Sequence, residues 1–316
     1  MEEVKPIRVE KTDINKPINP LIPIKVTEMG NIIETQYMSH RNCKQTIQML
    51  KGGEQFVICA TGEIKDVEHH LTRKGNHKGL YKTFANARSL INTNVTDVSC
   101  VRWCTLTYKD NMTDTKRLYE DFVKFNKRFQ YYCDKNGFGK PEYIVMMEPQ
   151  GRGAWHAHLL YIWQDRKAPY IANEVLRELW GHGFVKIKKL DNVDNVGAYL
   201  TAYLGDMDIE DLSCISEHIG SKGKIVEVEE NGEKVKKAII KGARLDFYPA
   251  NFNMIRYSKG IKKPEPVFLS QEEANKKVLG ATKTFESAVL LTDENSEFET
   301  VIIKKQYNKA RKNMQE

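Results

Sequence analysis

The sequence predicts an α+β fold: an antiparallel central sheet with helices on one face, plus a smaller accessory C-terminal region. Three observations carry this. Segments rich in β-branched and aromatic residues alternate with segments of helical apolar spacing, in the order ββ-α-β-α-β-β-α-β-α from Gln55 to Leu204. The helical segments are short enough to cover one face of an antiparallel sheet. After Asp206 the pattern changes to an alternating stretch, Val226 to Val235, around Asn231-Gly232, the strongest short hairpin signal. These observations divide the chain into an arm over 1–50, a central domain over 51–210 and an accessory region over 211–316.

Residues 1 to 50 carry Pro6, Pro17, Pro20 and Pro23, which oppose helix and interrupt strand pairing, and read as an extended arm. Gln55 to Ala60, the turn at Thr61-Gly62, then Ile64 and Val67 read as a hairpin. A helix is expected over Tyr81 to Ile91 and a strand over Val98 to Tyr108, where Val101, Trp103, Thr105 and Thr107 alternate. Asp114 can cap a helix whose apolar positions Leu118, Phe122, Phe125 and Phe129 share one side. Strands follow at Tyr143 to Met147 and Trp155 to Trp163, joined by Pro149-Gln150-Gly151-Arg152-Gly153. A helix over Ile171 to Leu179, a strand over Phe184 to Ile187 and a helix over Val193 to Leu204 complete the pattern.

With 316 residues, the chain can form one large domain or two smaller ones. Hydrophobic residues at 41% and charged residues at 29% exclude a wholly disordered, collagenous or membrane-embedded chain. No run approaches the roughly 18 apolar residues of a membrane span, and the start has no secretory pattern, so a cytoplasmic location is expected. The six cysteines form no CxxC pair and read as reduced thiols rather than a zinc site. The net charge of +7 permits a polyanionic partner without demanding one.

The chemistry concentrates in two places. His156-Ala157-His158 lies in a strand, so both imidazoles point to one face. If the loop after Pro149 closes an antiparallel hairpin, Glu148 lies opposite His156, and two imidazoles with one carboxylate can hold a divalent metal. His-x-His in a strand is also a common structural pattern. Tyr199 and Tyr203, four apart, stand one turn above each other on a helix. They can pack against a sheet, or serve as phenol nucleophiles aimed at a phosphate.

Thr105-Leu106-Thr107-Tyr108, Glu148-Pro149-Gln150-Gly151-Arg152-Gly153-Ala154-Trp155-His156-Ala157-His158 and Gly197-Ala198-Tyr199-Leu200-Thr201-Ala202-Tyr203 resemble motifs one to three of the HUH endonucleases. The motif order resembles the rolling-circle replication initiators of plasmids and phages, the group that includes the filamentous phage gene II protein. The resemblance runs from about Phe56 to Leu204 and continues weakly through Arg244 to Pro249 and Ser258 to Pro264. It implies a ferredoxin- or RRM-like palm, with His156, His158 and Glu148 as ligands of Mg2+ or Mn2+. It further implies Tyr199 as a nucleophile that leaves a 5′-phosphotyrosine, and Tyr203 as the second tyrosine that takes over the strand. The family's third motif ends in a lysine where this chain has Ala202; Lys186 or Lys188 on the neighbouring strand are candidate substitutes.

Arg152, in the loop between the ligand strands, is a candidate phosphate contact. Arg244, Arg256 and Lys259 belong to a stretch that interleaves cations with aromatics, readable as a DNA-gripping surface or as a core strand with solvated lysines. No G-x-x-x-x-G-K-[ST] motif is present, so unwinding would come from a host helicase, and the 3′-hydroxyl would serve a host polymerase. The expected function is thus metal-dependent nicking and rejoining of single-stranded origin DNA in a bacterial cytoplasm. The alternatives are a two-tyrosine transposase and a catalytically decayed origin-binding or copy-control protein.

Overall fold

The structure, a computed structural model, describes residues 7–41, 43, 45–69, 71–73, 77–150, 153–191, 193–201, 207–208, 223–230, 233–240, 247–293 and 297–311. The chain begins with β1 (Ile7–Lys11), β2 (Ile24–Met29), β3 (Ile32–Met38), β4 (Ile47–Met49), β5 (Gln55–Ile58) and β6 (Ile64–Asp66). Then come α1 (His77–Asn94), β7 (Val101–Thr107), α2 (Thr115–Lys135), β8 (Glu142–Pro149), β9 (Trp155–Ile162), α3 (Asn173–Trp180), β10 (Val185–Lys188) and α4 (Val196–Thr201). Next are β11 (Met207–Asp208), β12 (Gly223–Glu230), β13 (Glu233–Ile240) and β14 (Ile255–Tyr257), and the described chain ends with β15 (Pro266–Leu269), α5 (Gln271–Val278), β16 (Thr282–Asp293) and β17 (Glu299–Asn308). Two compact units result, one from residues 1–70 with 264–316, the other from 71–263.

In the 71–263 unit, the five-stranded sheet has the order β10-β7-β9-β8-β14, antiparallel at every junction. Asp114 caps α2 by accepting from the amides of Lys116 (2.8 Å) and Arg117 (3.2 Å), as its position predicts. From α2, Phe122, Phe125 and Phe129 are buried; Phe129 stacks on Tyr161 of β9 (4.2 Å between centroids) and Phe122 meets Tyr143 of β8 edge-on (5.4 Å). Each buried ring contributes about 1.5–3 kcal/mol, so this helix anchors one sheet face. α3 ends at Gly181 (φ 72°), a left-handed cap only glycine adopts without strain, after burying Trp180 against Phe125.

Two element starts move for local reasons. The strand expected from Val98 starts at Val101, because Asp97 accepts from the Ser99 amide and hydroxyl and winds Val98–Cys100 into a 3-10 turn. α4 starts at Val196 rather than Val193, because Asn195 is its cap and accepts from the Ala198 amide (3.0 Å). α1 runs beyond both ends of the expected 81–91.

The structure divides the chain differently from the sequence expectation. Strands β1, β2 and β3 lie within the residues read as an arm, and they join β15, β16 and β17 in a six-stranded sheet of order β1-β16-β17-β3-β2-β15. The prolines at 17, 20 and 23 interrupt only the connection between β1 and β2, while Ile24, Val26 and Ile33 on the flanking strands are buried under α5 and the 12–23 connection. The hairpin expected at 55–67 forms as β5 and β6, within this unit. Residues 223–240 form the expected hairpin, Glu230 opposite Glu233, with Asn231 and Gly232 outside the described residues. From the region expected to be accessory, β14 pairs with the outer edge of β8 and so belongs to the central sheet.

Candidate functional site

The ligand pattern is a consequence of strand register. β8 and β9 pair so that Glu148 lies opposite His156 and Met146 opposite His158, while β7 sets Thr107 and Thr105 against the two histidines. Residues directly opposite in an antiparallel pair share a face, so Glu148, His156 and His158 leave the sheet together, on the side away from α2. The turn between the strands is held by the Gln150 amide donating to Ala154 O (2.7 Å) and the Gly153 amide to Gln150 O (2.8 Å), with Gly153 at φ 81°.

The donor atoms converge. Nε2 of His156 and Nε2 of His158 are 2.9 Å apart, and each is 3.7 Å from Glu148 Oε2. The side chains are 9%, 20% and 4% exposed for His156, His158 and Glu148. A buried carboxylate is costly without a cation or donors, and two facing imidazole nitrogens at this spacing need a proton or a cation between them. Nitrogen and oxygen ligands sit roughly 2.1 Å from a divalent metal, so atoms closer than about 4.2 Å can touch one ion. All three pairs meet that condition, and among the described residues this is the group of His, Cys, Asp or Glu that could hold a metal. The donor set, two imidazoles and one carboxylate, leaves room for substrate oxygens.

The surroundings orient these candidate ligands. Thr105 Oγ1 lies 3.2 Å from His158 Nδ1, so the hydroxyl oxygen can accept a hydrogen bond from Nδ1–H and leave Nε2 with its lone pair toward the site. Trp103 stacks flat on the His158 ring, 5.3 Å between centroids and 5° between planes. Trp103 carried no chemical signal in the sequence, and Thr105 read as a sheet residue near the site.

Tyr199 is on α4 and half exposed (50%). The helix is held against α1 by two asparagines, Asn92 buried and Asn195 half-buried: Asn92 Oδ1 accepts from the Gly197 amide (2.8 Å) and Asn92 Nδ2 donates to Asn195 Oδ1 (3.0 Å). A Cβ on Gly197 would stand 2.5 Å from Arg88 O and 2.7 Å from Asn92 Oδ1, so glycine is what lets the backbones approach. Thr201 adds a hydroxyl bond to Gly197 O (2.7 Å). The cap residue Asn195 had a readable sequence signal; Asn92, 105 positions from Gly197, had none.

Lys186 and Lys188 are exposed on edge strand β10, opposite Thr105 and Trp103, and so on the face of the ligands. Lys188 Nζ lies 6.0 Å from the Tyr199 ring centre. Arg256 sits on the other face, opposite Val145, with its guanidinium 4.1 Å over the ring of Tyr119 from α2. Lys259 is exposed in the turn after β14. In the same stretch, Tyr248 and Phe252 are buried against Trp155, at 5.4 and 4.7 Å, which is the core role weighed for these aromatics. Tyr203, Ala202, Arg152 and Arg244 lie outside the described residues. No helix among the described residues is long and apolar enough to cross a membrane.

Residues 101–208 match a family model for replication-associated proteins, the one that groups the ORF2 product with the gene II protein. No curated protein matches the chain. The matched segment contains Glu148, His156, His158 and Tyr199, and it agrees with the motif resemblance: this part of the chain is similar to replication initiators of the Rep and gene II type.

Proposed function

We propose that the chain nicks and rejoins single-stranded DNA at a replication origin, with Tyr199 as nucleophile and Glu148, His156 and His158 as ligands of Mg2+ or Mn2+. The observation that carries this reading is the convergence of two imidazole nitrogens and a buried carboxylate on one sheet face, within the segment that matches the replication-associated family. A divalent metal there would polarise the scissile phosphate and stabilise charge developing on its oxygens.

The protein's own residues account for the rest of the step. The Tyr199 phenol oxygen forms a bond to the phosphorus, the bond from phosphorus to the 3′ oxygen breaks, and the phenol proton is balanced by protonation of the departing 3′-hydroxyl. The product is a 5′-phosphotyrosine that keeps the phosphodiester energy, so rejoining needs no nucleotide. α1 and α4 present Tyr199 through Asn92 and Gly197. Lys188 stands in for the motif lysine absent at Ala202 and positions the phosphate, and Lys186 adds charge on the same face. Tyr203 would accept the strand in a second transfer, and a host helicase and polymerase would open the duplex and extend the free 3′-hydroxyl in a bacterial cytoplasm.

The departure at Ala202 favours one second reading, a decayed initiator that binds its origin without cutting. Both are tested by incubating the protein with Mn2+ and a randomised pool of single-stranded oligonucleotides, then mapping any adduct that survives denaturation. An adduct on Tyr199, absent with EDTA and in His156→Ala, supports the nuclease. Retention of specific DNA with no adduct, and adduct formation gained in Ala202→Lys, supports the decayed reading.

A further inference from the structure

We propose that the six-stranded sheet of the 1–70 and 264–316 unit carries a second surface for single-stranded DNA, on the face opposite α5. The surface is distinct from the face that holds the metal ligands. It deepens the nicking reading, resting on it only for the identity of the polyanion.

One sheet face is filled: Ile24, Val26, Ile33, Tyr37 and Ile303 pack with Ala274 of α5. Strand alternation sends the intervening residues to the other side. Register aligns Phe268, Lys25, Gln36, Lys304 and Ser287 in one row across β15, β2, β3, β17 and β16. The next row runs from Pro266 through Thr27, Glu34 and Gln306 to Phe285. Met29, Ile32 and Asn308 are buried at one corner, but these two rows are half-buried or exposed throughout.

Their composition is unusual for a solvated sheet face. Phe268 and Phe285 are 52% and 54% exposed, where a solvent-facing strand ordinarily carries polar residues. The Arg41 guanidinium stacks on Phe268 at 4.3 Å from the ring centre. Lys25 and Lys304 make no ion pair among the described residues, and Glu34, the acid in these rows, accepts a bond from Gln306 (3.0 Å). The two phenylalanines stand four strand spacings apart, about 19 Å, with the lysines between them. Rings that stack on bases at both ends of a cationic track suit an unpaired strand, whose bases are free to stack, rather than a duplex. An initiator needs such a hold on the strand that its nick displaces.

The test uses the full chain in EDTA, so that no cutting occurs, with a fluorescent oligothymidylate of about 16 nucleotides, at the upper end of the site sizes such surfaces occupy. Lys25→Gln with Lys304→Gln should weaken binding about tenfold and reduce the salt slope by about 1.4, since each phosphate contact on a single strand contributes about 0.7. Phe268→Ala and Phe285→Ala should each weaken it about fivefold or more. Photo-crosslinked peptides should come from β15, β16 or β17. Both rings are more than half exposed, so these variants should keep the wild-type thermal midpoint. Unchanged affinity and slope in both sets, crosslinks confined to 71–263, or equal affinity for duplex would overturn the proposal; a face reserved for a protein partner gives the first of these. Adduct formation in Mn2+ is measured in parallel, so a missing Tyr199 adduct counts against the nicking reading alone.

Discussion

Asn92→Ala isolates the contact that holds α4, the helix of the proposed nucleophile Tyr199. The side chain is 3% exposed and touches neither the metal ligands nor the solvent face of α4; it accepts from the Gly197 amide and donates to the Asn195 side chain that caps the helix. Removing it leaves a buried amide without its acceptor, which costs about 1–3 kcal/mol. The urea midpoint should fall accordingly. The larger effect is on positioning, because a displacement of about 1 Å in a reacting group can cost on the order of a hundredfold in rate. The Mn2+-dependent adduct rate should therefore drop at least about tenfold, equivalent to about 1.4 kcal/mol of transition-state stabilisation. Mn2+ affinity should not change, since the proposed ligands are on β8 and β9. Asn92→Asp keeps an acceptor for Gly197 but no donor for Asn195, and should recover part of the rate. An adduct rate within about twofold of wild type would refute the positioning argument, because a nucleophile displaced with its helix could not react at nearly the native rate. Parallel loss of Mn2+ affinity would instead show that Asn92 supports the whole unit.

Three further outcomes are expected. Lys188→Ala should slow adduct formation while Lys188→Arg retains most of it, as single-turnover kinetics would read, because the cation beside Tyr199 and not its packing is what the phosphate needs. The Glu28 carboxyl is held below its ordinary value by hydrogen bonds and charge from Lys277 and Lys309, so its ion pairs stabilise the fold fully above about pH 4.5 and lose that contribution as pH falls through the lowered value. All three groups are more than a third exposed, which limits the contribution to about 1 kcal/mol; Glu28→Gln should lower the urea midpoint at pH 7 and converge with wild type in acid. Cys43 and Cys59 are exposed and should be alkylated in the native protein, whereas burial pushes the Cys133 thiol up to about 12 and raises Cys104 further, so peptide mapping should find these two modified only after unfolding.

What was legible in the sequence is what short range determines. Strand alternation put His156 and His158 on one face, and a hairpin loop of a few residues made Glu148 the partner of His156, so the candidate ligand group could be read before any tertiary contact was known. Capping chemistry at Asp114 and helical spacing at Phe122, Phe125 and Phe129 likewise placed α2. The tertiary structure alone decided the rest. It set Lys188 beside Tyr199, Asn92 beneath Gly197, and Arg256 on the α2 side rather than among the ligands. It also joined β3 to β17, where the Val301 amide meets the Ser39 hydroxyl across 262 positions. The physical reason is that an edge strand presents the same unpaired amides and carbonyls whatever strand will fill it. Residues 1–50, with four prolines, read locally as an arm; that β1 to β3 are strands is settled only when distant segments pair with them as the whole chain folds.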